Sequence, residues 1–251
     1  MMNLYLKLRK KYFKYCRLSA EKAARLSLRK NRDLNDLVKE VNKQSESTGL
    51  SSVGYLRLYQ MLRNIKPEYV LECGTGKSTF IIAHAMCQNG NGRKIVTMEE
   101  SEEWAKKQRG LLANIFSHKK ADVWFPGRTE NLIELVHSTI TIERHRIWAG
   151  SCYENIIDYP YTFIMVDGPQ LTEEYFINVD LINILKRSNS PVSVWIDGRW
   201  ATVAMCRALF GDKVISKPGW KHTEIYSATR EDISRDLKFI RKEMFIMAKG
   251  R

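Results

Sequence analysis

A mostly parallel β-sheet with helices on both faces, an α/β fold, is what this 251-residue sequence predicts. Two observations carry that expectation. Short apolar runs without strict alternation recur at 69–73, 94–98, 121–125, 162–167 and 191–197, and helical patterns fill the intervals between them. Strands buried on both faces read as continuous apolar runs, and parallel neighbours need a long crossover, usually a helix. The turn dipeptide Pro218-Gly219 then divides two further strand-like runs, 213–217 and 222–228, which predicts an antiparallel edge.

In chain order, the first 43 residues hold 13 Lys/Arg against four Asp/Glu. At 100° per residue, Leu4, Tyr5, Leu8, Tyr12 and Tyr15 share one side of a helix, and Lys7, Lys10, Lys11, Lys14 and Arg17 share the other. A basic amphipathic helix suits an anionic membrane surface, an acidic partner or a polyanion, or serves as an organelle address. Equally, it packs its Leu/Tyr stripe on the main domain and leaves a solvated basic face. The small polar stretch Gln44–Gly49 follows, then a helix over 53–65, the breaker Lys66-Pro67-Glu68 and the first strand. The expected organisation is a helical extension over 1–43, a main domain over 48–230, and a basic helix or tail over 231–251.

Composition narrows the class. With 44% hydrophobic residues, 14 Gly and six Pro, the chain suits one large folded domain and not disorder. The net charge of +13 is concentrated in the extension; the remaining residues hold 28 Lys/Arg and 24 Asp/Glu. Cys16, Cys73, Cys87, Cys152 and Cys206 are scattered, odd in number and form no C-x-x-C pair. They read as free thiols of a reducing compartment. The five histidines are dispersed too, so no metal cluster shows in the spacing. There is no 18-residue apolar run and no signal-peptide core, so the expectation is a cytoplasmic protein, at most peripheral at a membrane surface.

The segment "LECGTGKST" (71–79) admits two readings. From its right end it looks like a triphosphate loop, G-x-x-x-x-G-K-[ST]. Position 71, where the first glycine belongs, is Leu, and the loop left before Lys77 is too short to wrap a triphosphate. From its left end, a strand closes on Glu72, and Gly74 and Gly76 precede a helical run from Ser78 to Met86. That is the glycine turn of an open α/β sheet, which lets a ligand approach the backbone at a helix N-terminus. Thr79 replaces the third glycine of the dinucleotide fingerprint, so a nicotinamide cofactor is a poor match.

Ligands of open sheets bind at the carboxyl ends of the strands. Glu72, Glu99, Asp167 and Asp197 end the first, second, fourth and fifth runs and so share that address. Glu99 lies near the distance from Gly74 at which an acidic side chain meets ribose hydroxyls.

The segments "VLECGTGKSTF", "IVTMEESEEWAKKQR", "YTFIMVDGPQ" and "VSVWIDGRWATV", with Gly150 and Tyr153 before the fourth run, together resemble the class I S-adenosylmethionine-dependent methyltransferases. The likeness covers about residues 48–228 and is nearest to bacterial small-molecule and glycan methyltransferases. It implies a Rossmann-like, doubly wound, mostly parallel seven-stranded sheet and O-methylation of a small molecule or glycan. It also implies that Glu72, Gly74, Gly76 and Ser78 border S-adenosylmethionine and that Glu99 accepts from the ribose. Where many members carry G-D-A after the third strand, this chain has Gly127-Arg128-Thr129, so Glu130 or a backbone amide takes the adenine side. Asp167 is the first candidate for base or metal ligand and Asp197 the second. Metal-dependent relatives place Asp on the fourth strand and Asp-Asn on the fifth; here the fifth carries Asp197-Gly198, which leaves Mg2+ open and no residue assigned to a metal. His84 and His222 stand as further bases, His84 more naturally packed inside its helix. Two rival readings remain: a P-loop-like nucleotide-binding enzyme, and a non-catalytic nucleic-acid or membrane-surface protein on a methyltransferase scaffold.

Overall fold

The computed structural model describes residues 2–171, 175–218 and 220–235. Three helices, α1 (Met2–Lys30), α2 (Arg32–Gln44) and α3 (Ser52–Ile65), lead into β1 (Tyr69–Cys73). Then follow α4 (Ser78–Asn89), β2 (Lys94–Glu99), α5 (Glu102–Phe116), the single turn α6 (Ala121–Trp124) and β3 (Ile133–His137). A hairpin of β4 (Ile140–His145) and β5 (Trp148–Tyr153) precedes β6 (Phe163–Val166), α7 (Asp180–Arg187), β7 (Val192–Asp197) and α8 (Trp200–Phe210). The described chain closes with β8 (Val214–Ile215), β9 (His222–Ala228) and α9 (Arg230–Ser234).

Seven strands form one sheet in the order β3-β2-β1-β6-β7-β9-β8. The first five are parallel; β9 runs antiparallel to β7 and to the two-residue β8 outside it. This is the expected Rossmann-like, doubly wound α/β sheet with its antiparallel strand at one edge. The strand order reverses between β1 and β6, and that switch opens a crevice at the carboxyl edge.

Successive strand residues go to opposite faces. Val70, Ile95, Phe163, Met165 and Trp195 join the core under α2, α3 and α4; Leu71, Val96, Ile164, Val166 and Ile196 join the core with α7 and α8. Both faces are therefore apolar, which is why the strands do not alternate in sequence.

Three expectations need correction. Residues 121–125 form no strand. Ala121, Trp124 and Phe125 are buried and Val123 is exposed, a helical i, i+3, i+4 pattern that carries α6. The third strand is 133–137, an edge strand only half covered. Gly127-Arg128-Thr129 and Glu130 therefore precede that strand and sit at its amino end, away from the carboxyl edge. The crossover from β3 to β6 is built by the β4–β5 hairpin, on which Gly150 and Tyr153 lie, and not by a helix.

The extension divides in two. Leu34, Leu37, Val38 and Val41 of α2 are buried in the same core as Phe80 and Ile81 of α4, so α2 is part of the domain. Toward the end of α1, Ala24 and Leu28 are buried as well. The Glu21 carboxylate accepts from the Ser52 and Val53 amides at the start of α3 (3.1 and 3.4 Å), where a negative charge meets a helix N-terminus. Further back, Leu8, Tyr12 and Tyr15 are exposed, so the stripe does not pack on the main domain; the side chains of Leu4 and Tyr5 lie outside the described residues. Most of the 231–251 segment, from 236 onward, is also outside them.

Candidate active site at the carboxyl edge

The glycine turn after β1 is shaped by its neighbour across the switch. Gly74 has φ +89°, and a Cβ there would stand 2.7 Å from the Gly168 nitrogen. A Cβ on Gly168 would in turn stand 2.5 Å from the Gly74 nitrogen and 2.5 Å from the Tyr153 hydroxyl. Two glycines let the tips of β1 and β6 touch. Gly76 differs: a Cβ there would meet only Ser78 Oγ, at 3.9 Å, so this side of the loop is open.

Below the loop, Glu72 is fully buried and accepts from the hydroxyls of Ser78 (2.5 Å) and Thr79 (2.6 Å). Burial pushes its carboxyl up to about 7, against the pull of those hydroxyls. Glu72 and Ser78 therefore hold the loop from beneath by facing each other. From the side, α5 clamps it: Trp104 Nε1 donates to the Thr75 carbonyl (3.1 Å) and Gln108 Nε2 to the Gly76 carbonyl (2.8 Å).

Glu99 stands at the tip of β2 beside this loop. One carboxylate oxygen accepts the Ser101 amide (3.0 Å), and the Thr75 and Glu100 amides are turned to the same group. Burial raises its pKa and these amides oppose the rise. A carboxylate has about four acceptor positions and these amides take three, so Glu99 keeps capacity for about one further hydroxyl. The adjacent Glu100 ties elements together, accepting from the Tyr153 hydroxyl (2.8 Å) and the Gln170 amide (2.8 Å).

Across the crevice, Asp167 follows β6 and Asp197 ends β7. The Asp167 side chain remains 47% exposed to the cleft. Desolvation within the cleft, then the like charge of Asp197, push its pKa up to about 7, with Arg199 opposing. Asp197 is raised by burial and restrained by His222, Lys221 and Arg199. Arg199 donates to the carbonyls of Asp167 and Pro169 (2.6 Å to Pro169) and to Asn178 Oδ1 (3.1 Å), and its guanidinium is 3.8 Å from the Asp167 carboxylate. It fixes the loop on which Asp167 stands.

The other basic and titratable candidates are placed differently. Lys77 is buried, and its pKa is lowered by desolvation; a Cβ on Gly49 would meet its Cδ at 2.7 Å. Its stem runs toward Gly49 and does not turn out to solvent at the helix start. His84 Nδ1 stands 2.5 Å from the Trp124 carbonyl inside the core, as its helical position suggested. His222 is buried between Trp195 and Trp220, with ring centroids 3.9 and 4.5 Å away, so it serves as a packing ring and not as a cleft base.

No protein-family model matches the chain, and no curated protein does either. Solved structures do. An SAH-bound methyltransferase of Podospora anserina is 12% identical, with a TM-score of 0.49, over 83% of this chain and 96% of that one. An O-methyltransferase of Bacillus cereus in complex with SAH is 14% identical, with a TM-score of 0.46, over 78% and 90%. A Streptomyces achromogenes O-methyltransferase involved in tomaymycin synthesis, in complex with SAM, is 17% identical, with a TM-score of 0.40, over 87% and 78%.

The edge thus brings together Gly74, Gly76, Glu99, Asp167 and Asp197, with Glu72 and Ser78 beneath, and leaves Glu130 at the opposite edge. Among the described residues, no three His, Cys, Asp or Glu side chains are grouped to hold a metal ion. The cation facing Asp167 is Arg199, which is a poor neighbour for a divalent ion. Sequence reasoning missed Arg199, Glu100, Trp104 and Gln108. Trp104 and Gln108 stand one helical turn apart directly after the second strand, a spacing that could have marked them as a pair facing the loop.

Proposed function

We propose that the chain is an S-adenosylmethionine-dependent methyltransferase that methylates an oxygen of a small molecule or glycan. One observation carries the reading. The glycine turn of β1, open at Gly76, and the acid Glu99 of β2 stand on one side of the topological switch. Asp167 stands on the other. A nucleoside ribose would hydrogen-bond Glu99, the amino-acid portion would pass the glycine loop, and the methyl group would point toward Asp167.

Methyl transfer from a sulfonium asks for in-line placement and for removal of the acceptor proton. With its pKa pushed up to about 7, Asp167 is poised to take that proton near neutrality. Arg199 orients its loop and Asp197 adds the negative charge that makes it more basic. The P-loop reading fares worse. The helix starts at Ser78, directly after a four-residue turn, and the Lys77 stem is packed toward Gly49 instead of lying over that turn.

Calorimetry with S-adenosylhomocysteine and with Mg-ATP tests the reading. S-adenosylhomocysteine should bind and ATP should not, and Glu99→Ala should weaken the former by ~1.5–3 kcal/mol, the worth of hydrogen bonds to a charged group. Tight Mg-ATP binding without a response to S-adenosylhomocysteine would sink it.

A further inference from the structure

The helix α1 is amphipathic the wrong way round for a packing helix. Its protein-facing seam passes through Leu28 and Ala24, both buried, and at seven-residue steps continues to Arg17, Lys14 and Lys10. Its apolar side chains look away from the protein: Leu8 is 57% exposed, Tyr12 58%, Tyr15 73% and Leu18 57%. A helix docked for stability alone would bury those and solvate the cations.

The cations face a groove of about 580 Å³. Arg9, Lys10, Lys14 and Arg17 line one wall with Phe13, and Lys221 and Trp220 line the other; no carboxylate lines it. Among the described ion pairs none involves these five cations, whereas Arg57 and Arg199 elsewhere have carboxylate partners. Asp197 acts on Lys221 alone from beyond the groove, so the five like charges that converge on the groove repel one another, and an anion between them relieves that cost. The second wall is rigid, since Trp220 stacks on His222 and His222 on Trp195 of β7.

The groove also reaches the site. The Lys221 carbonyl accepts the Gly198 amide (3.0 Å), and Gly198 follows Asp197. Asp197 is paired in register with His222, the residue after Lys221. An anion in the groove is thus held beside the tip of β7, at the edge where Asp167 stands.

We infer that this groove binds the phosphate-bearing part of the methyl acceptor, so that the acceptor is a phosphorylated molecule held by α1 and Lys221 while its hydroxyl reaches Asp167. Guanidinium and ammonium groups are the natural partners of phosphate oxygens. Calling the ligand an acceptor rests on the methyltransferase reading; the anion site itself does not. The phosphate has two sources, a free sugar phosphate or a phospholipid headgroup, and the outward Leu/Tyr stripe gives the second a physical route.

The test uses the full chain and two triple variants of equal charge change. Lys10→Glu, Lys14→Glu and Arg17→Glu reverse the groove; Lys11→Glu, Lys22→Glu and Arg29→Glu reverse exposed positions off the seam. The probes are inorganic pyrophosphate, glucose 1-phosphate, and phosphatidylcholine vesicles with and without phosphatidylglycerol, with S-adenosylhomocysteine affinity measured in parallel. Pyrophosphate should bind, more weakly as salt rises, and the groove variant should lose at least about tenfold in affinity while the control loses less than about threefold. Glucose 1-phosphate binding without vesicle association identifies the free source, and vesicle binding lost only in the groove variant identifies the headgroup. Equal losses in both variants, or no pyrophosphate binding by the parent chain, would overturn the groove. If pyrophosphate binding is as expected and S-adenosylhomocysteine does not bind, the methyltransferase reading falls and the anion site stands.

Discussion

At the residue scale, two carboxyls with pKa pushed up to about 7 have opposite uses. Asp167 is open to the cleft and raised by desolvation and by Asp197. As a base it works only when deprotonated, so turnover should rise with pH through about 7 and fall about tenfold per unit below it. Asp167→Asn keeps the shape and removes the charge; it should cut turnover by ~100- to 10,000-fold and erase that acidic limb, with S-adenosylhomocysteine affinity changed little. Survival of the limb in the variant would move the base to another group, Asp197 first. Glu72 is sealed under the loop, so its shift bears on stability. Its folded pKa lies above its unfolded value, so the folded state holds the proton more tightly. The stabilisation from that proton is complete below the unfolded pKa of about 4.3 and is lost as pH rises through about 7. Glu72→Gln, which carries no titrating proton, should therefore gain in melting temperature relative to the parent between pH 5 and pH 8. Parallel pH profiles of the two proteins would place the Glu72 charge elsewhere in the balance.

At the scale of elements, legibility followed burial. β1, β2, β6 and β7 are apolar on both faces, and their runs stood out within a residue or two of their observed bounds. β3 is a half-covered edge strand, "IELVH", whose charge and histidine hid it behind the more apolar Ala121–Phe125, where one helical turn buries Trp124 and Phe125. The β4–β5 hairpin was invisible for a related reason: β4 ends on three consecutive polar residues, Glu143, Arg144 and His145, and is only partly buried along its length. At the site, the glycines and strand-tip acids were legible because tight turns and charged tips are local signals. Arg199 was not, because its partners are carbonyls of the 167–169 loop, some 30 residues earlier in the chain. The hairpin reaches the sheet layer through Gly150, where a Cβ would stand 2.5 Å from the Ile177 carbonyl and 2.9 Å from Val179. Gly150→Ala must push backbone aside, at a cost of ~1–3 kcal/mol by overpacking. A chemical denaturation midpoint equal to the parent's would show that the hairpin shifts freely.

At the scale of the whole molecule, the basic N-terminal region is two objects. Its first part carries cations to the cleft; its second part is core. Leu34, Leu37, Val38 and Val41 of α2 pack in one core with Phe80 and Ile81 of α4 and with Phe163 of the sheet face beneath that helix. Burying each such side chain is worth ~1.5–3 kcal/mol, so the four together amount to roughly 6–12 kcal/mol. That is comparable to the whole stability of a domain, ~5–15 kcal/mol. Charge summed over the whole N-terminal stretch drew the boundary at residue 43, although the excess lies in α1, ten Lys/Arg against Glu21, while α2 is balanced at three and three; burial draws the boundary near residue 20, before Glu21 caps α3. Two deletions separate these boundaries. Removal of residues 2–20 should leave a cooperative thermal transition and S-adenosylhomocysteine affinity close to the parent's, since α1 up to Ala20 covers little of the core. Removal of residues 2–43 should abolish the cooperative transition in circular dichroism and expose apolar surface to a dye such as ANS. A cooperative melt in the longer deletion would mean that α2 is dispensable and that its four buried side chains rest on a core stable without them.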